Sequence, residues 1–302
     1  MKIGVISGAE ICQPVLYHLA SQKANVTLFY AGLPGSEATK QMLSFCETYR
    51  IPSVVETTKD HIYEWVYNKR PDVVFIMGYG RILNVTRLGP LGSGVFNIHF
   101  GALPDYRGPS PVFWQLKNGE KNIDICIHRI INKADAGAIV WRKSILNEEF
   151  HTYSYINQYL STITVEGVNF ILNCLLHGNK LTEFPQDETK ARYYSRPVLK
   201  DVQINWSVMN AAAIFSLCRA CNCWNWGAIT SYKGLELKIL DVITGTDQHK
   251  TEPGTILSID NNLEVACLNG VCSITFMNLN GIFFPARYAK RFGMAVGQRL
   301  GV

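Results

Sequence analysis

No uninterrupted run of about 18 apolar residues occurs in this 302-residue chain, which leaves no segment that reads as a membrane span. The opening stretch, MKIGVISGAEICQPVLYHLA, carries one basic residue before an apolar run that Gly, Glu and Gln interrupt; it predicts a buried strand and not a secretory signal. Basic runs are short as well. With 29 Lys and Arg against 24 Asp and Glu the formal charge is +5, an excess that suits an anionic small molecule and does not announce nucleic acid. Gly8 follows the first strand, yet no second and third glycine complete a G-x-G-x-x-G spacing, so the dinucleotide fingerprint is missing and NAD and FAD are set aside. Internal repeats and low-complexity tracts are lacking. A disulfide framework is also unsupported. The nine cysteines are odd in number and scattered through core-like stretches, as expected of reduced thiols in the cytoplasm.

What is present is enough apolar material for a core, 47% of the residues. Short β-rich runs alternate with helical patterns over the first hundred residues: strands at 2–7, 25–30 and 72–77, and helices through Leu19, near 37–49 and around 61–69. Such alternation predicts an α/β domain with a doubly wound, mostly parallel sheet, whose ligands sit beyond the carboxyl ends of the strands. The loops after Ser7, Met77 and Ile98 are therefore the places for chemistry. Further strands are expected at 122–131 and 137–146, and a long helix at 153–177. The polar stretch 182–196, with Pro185 inside it and Pro197 just beyond, reads as a linker. From about Gly227 the chain breaks into short runs at turn signals such as Lys233-Gly234, Pro253-Gly254, Asn261-Asn262 and Asn269-Gly270, which predict a small β domain, a barrel in outline. The expected division is a catalytic domain over 1–190 and a C-terminal domain over 191–302.

Chemistry concentrates in 95–111, VFNIHFGALPDYRGPSP. Residues two apart in a strand face alike, so Asn97 and His99 can address one small site. Gly101, Pro104, Arg107 and Gly108 then make a turn-rich loop along which a ligand can approach the backbone. Asp135, in the turn ADAG between two expected strands, adds a carboxylate. An amide donor for a developing oxyanion, an imidazole for a proton and a carboxylate to orient it are the parts of an acyl-transfer site. Taken singly, each of the three has an ordinary structural reading. No metal is needed, and the spacing of Cys218, Cys221 and Cys223 is not a strong zinc pattern.

Together the motifs Asn97-Ile98-His99, Leu103-Pro104-Asp105-Tyr106-Arg107-Gly108 and ADAGAIV at 134–140 resemble those of the formyltransferases that use 10-formyltetrahydrofolate. The resemblance runs over nearly the whole chain. It implies a Rossmann-like catalytic domain followed by an OB-like β-barrel domain, N10-formyltetrahydrofolate as co-substrate, and Asn97, His99 and Asp135 as catalytic residues. It further implies that Tyr79, Arg81, Ile82 and Leu83 in MGYGRIL line a pterin pocket with Ala134 on its other side, and that Pro104, Tyr106, Arg107 and Gly108 face the acceptor. Where many relatives have Ser-Leu before Leu-Pro, this chain has Gly101-Ala102.

Three readings of the acceptor stay open. The endings at 133–140 and 293–300 resemble the sugar formyltransferases and point to the primary amine of a dTDP- or UDP-linked amino sugar, with nucleic acid and membranes outside the set of partners. A second acceptor is the initiator methionyl-tRNA, for which Arg192, Arg196, Lys200, Lys233 and Lys238 would form the basic face, diluted by Asp187, Glu188, Asp201, Glu236 and Asp241. Water as the nucleophile, or folate binding alone, is the third. An apolar surface at 283–288 suits a homodimer.

Overall fold

The computed structural model describes residues 1–245 and 250–301. The chain divides into two compact units, one made of Met1–Pro111, Ile123–Ile145 and Asn157–Ser195, the other of Val112–Asn122, Leu146–Ile156 and the chain from Arg196 onward.

The elements begin β1 (Lys2–Ser7), α1 (Gln13–Ser21), β2 (Asn25–Tyr30), α2 (Glu37–Thr48), β3 (Ser53–Val55), α3 (His61–Lys69), β4 (Val73–Met77) and β5 (Val95–His99). After α4 (Pro111–Lys117) come β6 (Asn122–Arg129), β7 (Ile139–Leu146) and α5 (Tyr153–Leu176). Seven strands form one sheet in the order β3-β2-β1-β4-β5-β6-β7. The first five run parallel and β6 runs antiparallel to β5. A strand covered on both faces has to be apolar at every position, and VVFIM in β4 is buried throughout. Phe75 of β4 and Phe96 of β5 are both fully buried and stack with ring centroids 5.8 Å apart. The order reverses direction between β1 and β4, the position at which an open sheet of this kind leaves a crevice at its carboxyl edge.

Helix α2 starts where Ser36 accepts a hydrogen bond from the Thr39 N–H, satisfying one of the first-turn donors. Helix α5 is long and apolar enough, by length and composition, to cross a membrane, with a mean hydropathy of 1.3 over an 18-residue window. Its side chains Leu160, Ile163, Val168 and Ile171 are buried, and Asn169 lies 2.9 Å from His18 of α1, so within the first unit it forms a wall of the core.

Several elements escaped the sequence reading, β3 and α4 among them. Strand β3 has three residues and α4 has seven, too few to display a period of two or of 3.6. The expected linker at 182–196 is also tied down along the first unit. Phe184 exchanges both backbone hydrogen bonds with Ile139, at 2.8 and 2.9 Å, while Arg107 N–H donates to Arg192 O and Tyr194 N–H to Arg107 O. Prolines and polar side chains argue against regular structure there, but they do not stop main-chain groups from pairing with a neighbouring segment.

The second unit holds a separate antiparallel sheet in the order β10-β11-β12-β9-β8, with β13 beside β12. Its strands are β8 (Ala228–Tyr232), β9 (Leu235–Gly245), β10 (Ile256–Ser258), β11 (Leu263–Cys267), β12 (Gly270–Leu279) and β13 (Ile282–Pro285). Lys233 and Gly234 both have positive φ, 50° and 77°, the backbone a two-residue hairpin between β8 and β9 requires. A short helix α6 (Leu199–Val202) and the longer α7 (Ala211–Cys221) precede the sheet; α7 is capped by Asn210, which accepts from Ala213 N–H.

Deleting a ring from the Phe75–Phe96 stack should cost about 3–5 kcal/mol. Phe75→Ala is therefore expected to lower the urea midpoint of the first unit well below wild type; a shift worth less than about 1 kcal/mol would mean that the stack is not packed as described.

Candidate active site

Strand β5 delivers Asn97 and His99 to the carboxyl edge of the sheet, and the register pairs them across β6 with His128 and Cys126. The chain then turns through 103–108. His99 is buried, and its Nε2 lies 2.6 Å from the carbonyl oxygen of Tyr106. A carbonyl only accepts, so Nε2 carries the hydrogen and Nδ1 is the nitrogen left for chemistry. That Nδ1 faces Asp135 Oδ1 at 3.7 Å.

Asp135 comes from the turn between β6 and β7 and has φ of +51°, a left-handed conformation that Asp adopts more readily than most residues. Its Oδ2 accepts the backbone N–H of Gly108 at 2.9 Å, and its Oδ1 accepts the Asn97 amide at 3.3 Å. Gly108 is required there: its φ is +115°, and a Cβ would stand 2.0 Å from the carbonyl oxygen of Tyr194. The three predicted catalytic side chains are therefore together. The same Asn97 amide nitrogen lies 3.0 Å from His128 Nε2. His128 is buried and its Nδ1 donates to Arg129 O at 2.7 Å, which in the neutral ring leaves Nε2 as the acceptor for Asn97.

Burial pushes the His99 imidazole below its usual value, against the upward pull of Asp135 and of its bond to Tyr106, with His128 and Arg107 adding to the depression. Burial alone would raise the Asp135 carboxyl. At the low pH where a carboxyl titrates, the protonated His99 ring, the nearby His128 ring and the Gly108 N–H together outweigh it, so Asp135 sits well below the usual carboxylate range. The resting site is thus an ionised carboxylate beside a neutral imidazole whose protonated form that carboxylate would stabilise.

The remaining predicted residues fall into two groups. On the loop after β4, Tyr79 Oη donates to Glu56 Oε1 at 2.8 Å and Arg81 Nη1 bonds the same oxygen at 3.1 Å. Leu83 is buried in the core beneath, Ile82 is exposed, and Ala134 is half-buried in the turn that carries Asp135. Within the described residues no hydrogen bond takes up the main-chain groups of Gly80, Arg81, Ile82 and Leu83. On the loop after β5, Pro104 follows a cis peptide and Tyr106 stacks on Tyr194 at 5.0 Å. The buried Arg107 guanidinium is engaged by Gln186 and by both oxygens of Glu188, whose carboxyl Arg107 and Lys133 hold down at about 2.

Sequence reasoning missed His128, Glu56, Gln186 and Glu188. Only the register of β6 against β5 reveals His128, and the other three lie far along the chain from the residues they hold. Cys218 and Cys221 are buried and Cys223 is exposed; among the described residues no group of three His, Cys, Asp or Glu could hold a metal ion.

Two family profiles match this chain, that of formyl transferase over residues 19–167 and that of the formyl transferase C-terminal domain over residues 199–281. The chain is similar to the methionyl-tRNA formyltransferase of Thermotoga maritima, 29% identical over 269 residues, covering 86% of this chain and 84% of that protein. Among solved structures it is similar in fold to WlaRD, a sugar 3N-formyl transferase crystallised with dTDP and 5-N-formyl-THF, at a TM-score of 0.71, 17% identity and coverage of 91% of this chain and 96% of that one. It also resembles HypX from Aquifex aeolicus, solved with tetrahydrofolic acid, at a TM-score of 0.68 and 18% identity over 97% of this chain. The chain spans about half the length of HypX, 47%.

The depressed His99 value sets a pH test. In the unfolded chain a histidine titrates near about 6.5, so between that pH and the lower folded value the native state binds fewer protons than the unfolded state. The contribution of His99 to stability is complete above about pH 6.5 and declines as pH falls toward the folded value. Nitrogen-15 NMR of the imidazole should show the Nε2–H tautomer with a midpoint below about 6.5, moved lower still in Asp135→Asn. A midpoint that is unmoved in that variant would show that the carboxylate does not act on the ring.

Proposed function

The chain belongs to the formyl transferase family, and from that premise we propose that it moves the formyl group of N10-formyltetrahydrofolate onto the primary amine of an amino-sugar nucleotide, such as a dTDP- or UDP-linked 4-amino-4-deoxy sugar. The observation that carries the reading is the convergence of Asn97, His99 and Asp135 at the carboxyl end of β5.

In this reading a neutral amine attacks the formyl carbon, and charge grows on the carbonyl oxygen. The Asn97 amide releases the N–H that Asp135 Oδ1 holds at 3.3 Å and donates it to that oxygen as it becomes negative. His99 takes the proton that the amine sheds at Nδ1, the nitrogen its bond to Tyr106 leaves open, and the ionised Asp135 stabilises the resulting imidazolium. The proton then passes to the departing nitrogen of the folate, which leaves neutral. No residue needs to become covalently modified.

The co-substrate fits the residues present in kind. A pterin presents donors and acceptors along one edge, and the main-chain groups at 80–83 offer a matching peptide edge, with Tyr79 and Arg81 steadied by Glu56 and Leu83 as an apolar floor. Ala134 would close the opposite side, with Pro104, Tyr106, Arg107 and Gly108 toward the acceptor. Residues 1–190 act as the catalytic domain and 191–302 as an OB-like one, in the cytoplasm, and the apolar surface at 283–288 would pair two copies.

A sugar nucleotide is favoured over tRNA because Lys238, Lys290 and Arg299 in the second unit are each paired with an acidic neighbour, which weakens any field for a phosphate backbone. The 29% identity to a methionyl-tRNA formyltransferase favours the second reading, transfer to methionyl-tRNA.

Incubation with 10-formyltetrahydrofolate and a panel of dTDP- and UDP-linked amino sugars should add one formyl group to a member of the panel, read by mass spectrometry. Formylation of methionyl-tRNA and of nothing in the panel would replace the first reading with the second, and formate released without any acceptor would replace both with hydrolysis. Against the identified acceptor, His99→Ala and Asp135→Asn should each lower turnover by about 10²–10⁴-fold with the fold intact. Near-normal rates in both would remove the site from the reaction.

A further inference from the structure

We propose that Gln186 is a positioning residue for this reaction, its side-chain amide holding the turn that presents the Asp135 carboxylate to His99; the inference rests on the reading of the site given above. Gln186 lies in the polar stretch after α5 and is half-buried. Its Nε2 donates to two backbone carbonyls, those of Asp135 and Gly137, each at 2.7 Å. Its Oε1 accepts from Arg107 Nε at 3.1 Å and from Arg107 Nη2 at 2.8 Å. A carboxamide has two donor hydrogens and two acceptor lone pairs, and all four are used. The orientation of the amide follows from the chemistry. Exchanging its oxygen and nitrogen would set an oxygen against two carbonyls and an N–H group against a guanidinium.

The two carbonyls bracket the residue whose side chain matters. Asp135 stands at φ of +51°, and two positions later Gly137 passes so near β6 that a Cβ there would lie 1.8 Å from the carbonyl oxygen of Arg129. That same Arg129 carbonyl accepts the Nδ1–H of His128, which in turn holds Asn97. The turn is thus braced by β6 on one side and by Gln186 on the other. At the far end of the amide, Arg107 immediately precedes Gly108, whose N–H fixes the other carboxylate oxygen of Asp135. One carboxamide therefore joins both loops that grip Asp135, the turn through the two carbonyls and the loop after β5 through Arg107. Arg107 is buried and keeps Glu188 as an ionic partner, so removing the Gln186 amide would leave the cation paired. Gln186 acts through Asp135, and the groups that face His99 remain Asp135, His128 and Arg107.

The test follows the His99 imidazole by nitrogen-15 NMR across pH in the full chain, a readout that needs no acceptor. Gln186→Met, similar in length and without polar groups, should keep the thermal midpoint within a few degrees while moving the His99 titration to lower pH in the direction of Asp135→Asn. The double variant should move it no further than Asp135→Asn alone, and turnover of the formyl donor with the acceptor found above should fall about 10- to 100-fold. A His99 titration at the wild-type position in Gln186→Met, with Asp135→Asn displaced, would overturn the inference and leave the site reading standing. If Asp135→Asn does not displace it either, the pairing of Asp135 with His99 has failed, and the functional reading with it. Should Gln186→Met not fold, the wild-type protein still decides the matter: both Nε2 protons of Gln186 should be resolved and slow to exchange with water, and exchange at the rate of a free carboxamide would overturn the proposal.

Discussion

Asp135 is a carboxylate taken largely out of water, and it keeps its charge because each oxygen is met: Oδ2 by the Gly108 N–H, Oδ1 by the Asn97 amide with the His99 and His128 rings nearby. A buried carboxylate without such partners would bind a proton instead. The rest of the site can be traced to this requirement. Gly108 must be glycine so that its N–H reaches the carboxylate without a side chain striking Tyr194, and Asp135 must hold an uncommon backbone conformation to point inward. His128 sits where the register of β6 sets it opposite Asn97.

The sheet serves that arrangement. Parallel strands with both faces covered need continuous apolar sequence, so β4 and positions 3–6 of β1 lack polar side chains and chemistry is confined to their carboxyl ends. Polar residues survive in β5 and β6 on the face that carries the site, and there Asn97, His99 and His128 have partners. The antiparallel pairing of β6 with β5 sets His128 opposite Asn97, and the turn that follows β6 carries the Asp135 carboxylate to His99 and to the Gly108 N–H.

The segment at 183–194 illustrates how a stretch without regular structure can still be well determined. Its backbone pairs with Ile139 and Arg107, its side chains take up a buried guanidinium, and Tyr194 stacks on Tyr106. Each contact is modest alone, of order 1 kcal/mol for a typical hydrogen bond. Together they close the loop after β5 against the turn before β7.

The strand and helix periods of the first hundred residues were legible because they follow from burial, which composition and spacing record directly. The pairing of Asn97 with His99 was legible for the same reason, two residues on one strand facing one way, and Asp135 was found through its turn motif. His128, Glu56 and Gln186 were not. Each is an ordinary polar residue whose importance lies in what stands opposite it: His128 across a strand pair, Glu56 beneath a loop that begins some twenty residues later, Gln186 after a helix of 24 residues. Local sequence determined which segments become strands and helices and which side chains share a face. Only the tertiary structure decided which hydrogen bonds form between segments remote in the chain, because a side chain records its own chemistry and not the identity of the partner that folding brings to it.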